Sequence, residues 1–218
     1  MALVKVAVFV WLLLTPGLSQ AGERETVSQE YLHWISPRPK SAGVTCDTKR
    51  QLPDIENRYG EPINRLCDSD GNWLQLKWVE QGRAVFSGAG VIPRKWSDLL
   101  LSAERKARST SVGGWQEFQI WPAANPLKIP DTFTFQIVEG QVVDVKIYKG
   151  IVYLNFGENW KEDFTAAIPS HLKAKFKKEN WNFDELVNMS IRVRGFVRSY
   201  NGPYMEIEWP TQIEILPQ

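Results

Sequence analysis

The stretch that decides the fold reads NRYGE at residues 57–61 and GNWLQLKWVEQGRA at residues 71–84. Between the two pieces, residues 63–67 (INRLC) follow a tight turn and are predicted to form a strand. Asn72 then stands where a helix N-cap is expected. The helix is predicted to end at Gly82, because glycine readily takes the left-handed conformation of a C-terminal cap. The resulting order is turn, strand, capped helix and glycine stop.

The sequence on either side of this stretch predicts three further elements. Residues 43–46 are a strand candidate and would pair with residues 63–67 as an antiparallel hairpin. Glu25–Ile35 carries apolar residues at helical spacing and predicts a short helix. A longer helix is predicted from Asp98 to about Arg108, with Ser97 as its N-cap and an apolar face formed by Leu100, Ala103 and Ala107.

This order, with AERKAR at residues 103–108 and GGW at residues 113–115, resembles the second half of a thermonuclease (staphylococcal nuclease-like) domain over about residues 25–116. The resemblance implies an OB-type barrel in which aspartates bind Ca²⁺, a glutamate acts near the attacking water and two arginines stabilise the developing charge. Phosphodiester cleavage needs such groups to neutralise the oxyanion and to activate water. Within the resemblance, Arg58 and Tyr59 match positions that contact the phosphate and sugar of the nucleotide.

The same comparison shows which parts of the nuclease site are missing. Neither the Asp-Gly-Asp-Thr motif nor the Arg…Asp…Pro-Glu stretch of the family occurs before residue 40. The family's arginine two residues after the turn tyrosine is replaced by Glu61, which reverses the charge at a phosphate-clamping position. Residues 87–90 (SGAG) match aromatic positions that stack on substrate in the family, and contain no aromatic residue. The resemblance therefore predicts a truncated domain with no catalytic residues, metal site or cofactor; Ca²⁺ would be expected only if nuclease activity persists.

Residues 1–21 have the pattern of a secretory signal peptide, with Lys5 before an apolar run and small residues at 19–21. The run is shorter than the roughly 20 residues of a membrane span, and an uncleaved membrane anchor through residues 5–20 is the alternative. We therefore expect a periplasmic or secreted protein. An exported chain with two cysteines usually pairs them, and Cys46 and Cys67 face each other in the predicted hairpin. A disulfide is predicted; two free buried thiols are the alternative.

A nuclease barrel without its first three strands would leave a sheet edge exposed, which favours unwanted pairing. We expect this edge to be covered by the second domain, by the N-terminal segment or by another protein chain.

A second domain is predicted over residues 133–218, after a linker at 117–132 in which Trp121–Pro130 is proline-rich and irregular. Short runs separated by glycines predict strands, with Val143, Val145 and Ile147 on a buried face, and Ser170 is expected to cap a basic helix. Five or six strands with one helix before the last hairpin suggest a small OB-like barrel. This part also resembles the C-terminal barrel of some proteobacterial thermonuclease-like proteins, through GQVVDV at 140–145, YLNFG at 153–157 and VRGFV at 193–197.

OB barrels often bind single-stranded nucleic acid through aromatic rings and cations. The candidate rings and cations are Tyr148, Tyr153, Phe156, Trp160, Tyr200, Arg192, Arg194, Arg198, Lys173, Lys175, Lys177 and Lys178. The alternative is that the lysines are a solvated helix face and the arginines are surface ion pairs, with Arg198 opposite Glu206 if residues 201–203 form the hairpin loop. A formal net charge of +1 gives no general attraction to nucleic acid. His33 and His171 have no companions at metal-ligand spacing.

The fold expected from the sequence is α+β: residues 1–21 as signal or anchor, a truncated thermonuclease-like domain at 22–116, the linker and the OB-like barrel. The leading hypothesis is a catalytically degenerate, exported protein that acts as an interaction or assembly module in the cell envelope. One alternative is a Ca²⁺-dependent nuclease that hydrolyses phosphodiester bonds of DNA or RNA. The other is an OB module that binds single-stranded nucleic acid.

Overall fold

The computed structural model of the chain describes residues 31–37, 44–46, 56 and 66–217. These residues form an α+β structure with a mixed eight-stranded sheet and two small two-stranded sheets. The α-helices are α1 (Leu74–Glu80), α2 (Arg94–Ser109) and α3 (Lys173–Lys178). The strands are β1 (Leu32–Trp34), β2 (Val44–Thr45), β3 (Leu66–Cys67), β4 (Ala84–Phe86), β5 (Ile120–Pro122), β6 (Thr132–Gln141), β7 (Asp144–Tyr148), β8 (Ile151–Asn155), β9 (Thr165–Ile168), β10 (Ser190–Ser199), β11 (Pro203–Glu206) and β12 (Ile213–Ile215).

The N-terminal described segment is a strand where the sequence predicted the end of a helix. β1 pairs antiparallel with β4, with Leu32 opposite Phe86 and Trp34 opposite Ala84. Tyr31 and Leu32 are buried in the core beneath α1 and α2. The helix predicted over Glu25–Ile35 is therefore wrong for its last residues, because pairing with β4 satisfies their backbone while the same apolar side chains are buried. Residues 25–30 of that prediction, like the signal segment 1–21, lie outside the described residues.

Helix α1 ends as predicted but begins differently. Gly82 has a left-handed φ of 62°, and its N–H donates to the carbonyl of Val79. Asn72 is not the N-cap, because its backbone N–H is bound by the Asp68 carboxylate and the helix starts after Trp73. The Asp68 carboxylate accepts four hydrogen bonds. The bond from the Asn72 backbone is the main cause that lowers the pKa of Asp68 to about 2, and the side chains of Lys77 and Asn72 add to it.

Gln75 is a polar residue of α1 that lies in the interior. Its side chain is fully buried, and its Oε1 accepts the Leu66 N–H at 3.0 Å. The residue thereby ties α1 to β3 across the helix face that also buries Trp78 and Val79.

Helix α2 starts one turn before the predicted position. It begins after Pro93, and the Ser97 hydroxyl donates back to the Arg94 carbonyl instead of capping the helix. The predicted apolar face is confirmed, since Leu100, Ala103 and Ala107 are buried. Glu104 is buried on that same face, which the sequence did not predict.

The large sheet has the order β5-β6-β10-β11-β9-β8-β7, and β12 also pairs with β10. Most pairs are antiparallel, but β5 with β6 and β9 with β11 are parallel. The predicted strand runs are confirmed, and their inward residues form the largest apolar core. β5 lies inside the stretch predicted to be an irregular linker, so that stretch contributes a strand to the sheet; the proline-rich turn follows it.

Two details of the sheet differ from the sequence prediction. β7 is the last strand in the sheet order, and Val143 and Ile147 are exposed, with the preceding Val142 buried instead. In the hairpin of β10 and β11, Arg198 pairs with Tyr204 and not with Glu206, because Tyr200 belongs to the loop. Among the described residues, no helix is both long enough and apolar enough to cross a bilayer.

The predicted disulfide is confirmed. Cys46 and Cys67 are bonded, with their Cα atoms 5.0 Å apart. β2 and β3 pair antiparallel beside the bond, with Val44 opposite Cys67. Both half-cystines are buried, so the bond links residues 44–46 to the segment that leads into α1.

We predict that the double variant Cys46→Ser/Cys67→Ser has a free energy of unfolding about 3 kcal/mol lower than the wild type, since the bond closes a loop with a sequence separation of 21. Urea unfolding of the oxidised wild type, the reduced wild type and the variant measures this difference. The reduced wild type is the control and should match the variant. A loss below about 1 kcal/mol in both would contradict a structural role for the bond.

Candidate functional site

The helical region, which consists of β1, β4, α1 and α2, meets the outer face of β10, and we call this contact the joint. It contains a buried ion pair. Arg194 is fully buried, and its Nη1 lies 3.0 Å from Oε2 of Glu104 on α2. The same Nη1 donates to the Phe86 carbonyl at 2.7 Å, and Glu104 Oε2 accepts the Phe86 N–H at 2.9 Å. The backbone of β4 is thus bound on both its donor and its acceptor by one charged pair.

Glu214 on β12 extends the pair into a network. Its Oε2 accepts from Arg194 at 3.2 Å and from Arg192 at 2.9 Å, and its Oε1 accepts from Arg105 at 2.8 Å. Arg192 also bonds Glu139 on β6 at 2.6 Å. Burial alone would lower the pKa of Arg192, but its bonds and charge interactions with Glu139 and Glu214 outweigh burial, and the pKa is raised above its usual value. Ion pairs therefore link the four elements α2, β6, β10 and β12.

The loop after β4 meets the segment that precedes β12. The Thr211 hydroxyl donates to the Gly88 carbonyl at 2.6 Å. Gly88 has φ +73°, and a Cβ at this residue would lie 2.6 Å from the Thr211 carbonyl oxygen. Only glycine allows so close an approach in the left-handed conformation. Residues 87–90 are consequently packed against the chain's own C-terminal segment.

An apolar cluster completes the joint. Val85, Ala107 and Trp115 from the helical region pack with Phe135 and Ile137 of β6. His33 stacks on Phe135 with ring centroids 4.3 Å apart. The two parts of the chain therefore share buried surface as well as charge.

The candidate arginines of β10 have different environments. Arg198 forms the predicted exposed ion pair with Glu206 at 2.7 Å, although its register partner is Tyr204. Arg192 and Arg194 are not surface ion pairs, because the outer face of β10 at these positions is covered by α2 and β4. Arg58, Tyr59 and Glu61 lie outside the described residues, so their roles remain predictions.

The candidate stacking residues are only partly suited to that role. Tyr148, Trp160 and Tyr200 are exposed, and Tyr153 is half-buried. Phe156 lies in the core against Phe164 and is not available to a ligand. Tyr204, which the sequence did not single out, packs under Arg198 at 5.0 Å, and burial raises its pKa to about 12.

The remaining candidates are distributed over the surface. Lys175 lies 3.3 Å above the ring centroid of Trp209, so it packs against the fold, while Lys177 and Lys178 are exposed. His33 packs on Phe135, and His171 belongs to a short 3₁₀ turn before α3. Within residues 31–37, 44–46, 56 and 66–217, no three His, Cys, Asp or Glu side chains are grouped so that they could hold a metal ion.

Glu104 is the joint residue that the sequence analysis missed, whereas Arg194 was recognised only as a candidate for nucleic-acid binding or a surface ion pair. Glu104 follows Leu100 by four residues and therefore lies on the same helical stripe. A charged residue within an apolar stripe is the signal that a buried partner exists, because an unpaired buried charge is strongly unfavourable.

No protein family and no curated protein matches this chain. Among solved structures, it has 16% identity and a TM-score of 0.30 to the OBody AM1L10 bound to hen egg-white lysozyme, covering 47% of this chain and 96% of that one. The OBody AM3L09 bound to hen egg-white lysozyme has 15% identity and a TM-score of 0.31, and the match covers 46% of this chain and 95% of that one. An aspartyl tRNA synthetase from Entamoeba histolytica has 13% identity and a TM-score of 0.32, and the match covers 45% of this chain and 21% of that one. TM-scores at this level carry no conclusion about the chain.

We predict that Arg194→Met lowers the free energy of unfolding by about 3–5 kcal/mol, because it leaves Glu104 buried without its cation. The double variant Glu104→Leu/Arg194→Met should lose clearly less than the sum of the two single variants. Arg198→Met removes an exposed pair on the same strand and is the control, with an expected loss within about 1 kcal/mol. Denaturant unfolding of the four variants measures the cycle. Additive losses would show that the two charges do not act together.

Proposed function

We propose that the chain is a catalytically degenerate, thermonuclease-like protein that acts as an interaction or assembly module in the cell envelope. The resemblance of residues 25–116 to the second half of the nuclease domain supports the class. Glu61 at the position of a phosphate-clamping arginine supports the loss of catalysis. The signal pattern of residues 1–21 supports export, with membrane anchoring as the alternative.

The observation that carries this proposal is the contact between Gly88 and Thr211. The matching stretch in the nuclease family provides aromatic residues that stack on the substrate. In this chain the stretch has no aromatic, and its backbone accepts a hydrogen bond from Thr211 at 2.6 Å. A surface that would be open to a nucleotide is instead part of an intramolecular joint.

The strand pairing supports a finer proposal for the fold. β6 and β7 are consecutive, and they lie on the two sides of the path β10-β11-β9-β8. If they are two halves of one bent strand, the five resulting strands form a closed OB-like barrel with β5 added outside. The β1–β4 unit with α1 and α2 would then be the remnant of the truncated nuclease barrel, and its β4 edge would be covered by Arg194 and Glu104. A partner chain would bind elsewhere on the surface.

We predict that the purified chain does not cleave single- or double-stranded DNA or RNA in Ca²⁺ or in chelator. Glu61→Arg should not create activity, because a single restored cation supplies neither the metal ligands nor the general base. Gel assays with an active staphylococcal nuclease as positive control measure this. Cleavage by the wild type that requires Ca²⁺ would refute the degenerate-nuclease proposal and favour the nuclease alternative.

A second candidate function is the binding of single-stranded nucleic acid. It is favoured by two exposed aromatic rings, each of which has the ammonium group of the next lysine above it. Lys149 Nζ lies 5.3 Å from the ring centroid of Tyr148, and Lys161 Nζ lies 5.6 Å from that of Trp160. Bases stack on such rings while nearby cations bind the backbone. The balanced total charge of the chain argues for weak binding.

For this candidate, the expected result is that Tyr148→Ala and Trp160→Ala each weaken binding of a fluorescent oligo(dT) by about 1–3 kcal/mol. Leu127→Ala, which shortens an exposed apolar side chain, is the control and should have no effect. Affinity should also fall as salt rises. Fluorescence anisotropy measures both quantities. Binding that is absent at 50 mM salt, or equal in all variants, would exclude these rings as a nucleic-acid site.

A further inference from the structure

A groove of about 1320 Å³ runs beside the buried charge network. Residues of α2 line it together with the segment between α3 and β10 and with β12. Its volume exceeds the range of about 300–1,000 Å³ typical of small-molecule pockets. The apolar residues along it include Leu101, Trp181, Met189 and Ile215. A groove of this size and composition fits an extended peptide better than a small metabolite.

The charges of the network and of the arginine that lies next to it on α2 do not balance. The network and its neighbour contain four guanidinium groups, those of Arg105, Arg108, Arg192 and Arg194, and three carboxylates, those of Glu104, Glu139 and Glu214. Every ion pair of the network uses Arg105, Arg192 or Arg194. The guanidinium of Arg108 forms no ion pair or hydrogen bond with any residue that the structure describes. Arg108 is therefore the cation of this set that a ligand could pair, and it lies in the lining of the groove.

The environment of Arg108 is unfavourable for an unpaired cation. Partial burial lowers its pKa, and the positive charge of Arg192 lowers it further. Nearby carboxylates act in the opposite direction without bonding to it. A carboxylate bound at this point would remove the imbalance through a charge-assisted, bidentate hydrogen bond, which a guanidinium is shaped to make.

We infer that this groove binds a peptide segment of another protein, which presents a carboxylate to Arg108 and apolar side chains to Leu101 and Trp181. The inference rests on the proposed role as an interaction module and names the partner's chemistry. Once bound, the carboxylate is the fourth anion of the network. The apolar contacts supply affinity, and the charge pair fixes the register of the peptide.

The charges on the other side favour a peptide over nucleic acid. Glu179 and Glu185 also line the groove and are exposed. A nucleic-acid strand would bring a phosphate every few ångströms and would be repelled by these carboxylates. A peptide with a single acidic residue between apolar residues avoids this repulsion. The acidic residue of the bound peptide must therefore contact α2, where Arg108 lies.

The test starts from selection of a displayed random heptapeptide library on the immobilised full chain. The enriched peptides are then synthesised with free and with amidated C-termini, and with each acidic residue replaced by its amide. Fluorescence anisotropy gives their affinities for the wild type, Arg108→Gln and Lys106→Gln. Lys106→Gln is the matched control, because it removes one charge from an exposed residue of the same helix that does not line the groove.

The expected result is enrichment of peptides with one carboxylate flanked by apolar residues. Arg108→Gln should weaken their binding about tenfold or more, as loss of a charge-assisted hydrogen bond predicts. Replacing the acid by its amide should weaken binding to the wild type equally and should have little further effect in Arg108→Gln. Lys106→Gln should change affinity less than twofold. Amidated C-termini distinguish a side-chain carboxylate from a terminal one.

Thermal unfolding without peptide gives an independent readout. Arg108→Gln removes a positive charge that lies near Arg192 and has no ion-pair partner among the described residues. The Tm of the variant should therefore lie between that of the wild type and a value about 2 °C higher. A marked fall in Tm would show that Arg108 holds the fold together, and would overturn the inference. So would the absence of enriched peptides, enrichment of peptides without acid, or equal binding by Arg108→Gln. Calcium-dependent cleavage in the nuclease assay would refute the proposed function alone and leave this peptide result standing.

Discussion

Arg194 and Glu104 form a fully buried charged pair, and the arrangement of α2, β4 and β10 depends on this pair. Each group needs the other, because a lone charge at full burial costs several kcal/mol. Each also binds the backbone of Phe86, so the pair can form only when β4, α2 and β10 are in place together. A buried pair of this kind contributes little net stability but selects one arrangement among many apolar ones; we offer that as a hypothesis for this fold.

The surrounding charges extend this constraint to the surface. Glu214 accepts hydrogen bonds from three arginines, which places the cationic side of α2 against β12. Arg108 follows Arg105 and Glu104 on the same helix, and none of the described residues forms an ion pair with it. Arg108 can thus pair with a ligand because the charges of Glu104 and Arg105 are already used in the joint. In the proposed account, the same network that fixes the two parts also prepares a carboxylate site at their boundary.

The sequence was most informative where local rules decide the structure. Short runs separated by glycines predicted the strands of the large sheet, glycine predicted the end of α1, and the hairpin predicted the bond between Cys46 and Cys67. It was wrong where tertiary contacts decide. β1 carries apolar residues that suit a helix or a strand, and pairing with β4 selects the strand. Gln75 is polar and buried because the Leu66 N–H needs an acceptor, which no local pattern reveals.

Prediction of the site was more limited for a similar reason. Arg192 and Arg194 were recognised as candidate cations, but their burial depends on α2 lying over them, and the contact between Glu104 and Arg194 joins residues 90 positions apart. The hairpin register changed because Tyr200 belongs to the loop, which moved Tyr204 opposite Arg198. Only the three-dimensional arrangement of the charges shows that Arg108 has no ion-pair partner among the described residues. The sequence provides the residues but not the pairing.

Native-state hydrogen exchange of the Phe86 amide tests the central claim most directly. This N–H donates to the Glu104 carboxylate, which pairs with Arg194 of β10, so opening of the joint removes the cation that holds its acceptor. If the charged pair makes the two parts one cooperative unit, the amide should open with the same free energy as the slowest amides of β10. Exchange of the Phe86 amide through a much less costly local opening, while β10 stays protected, would contradict the account.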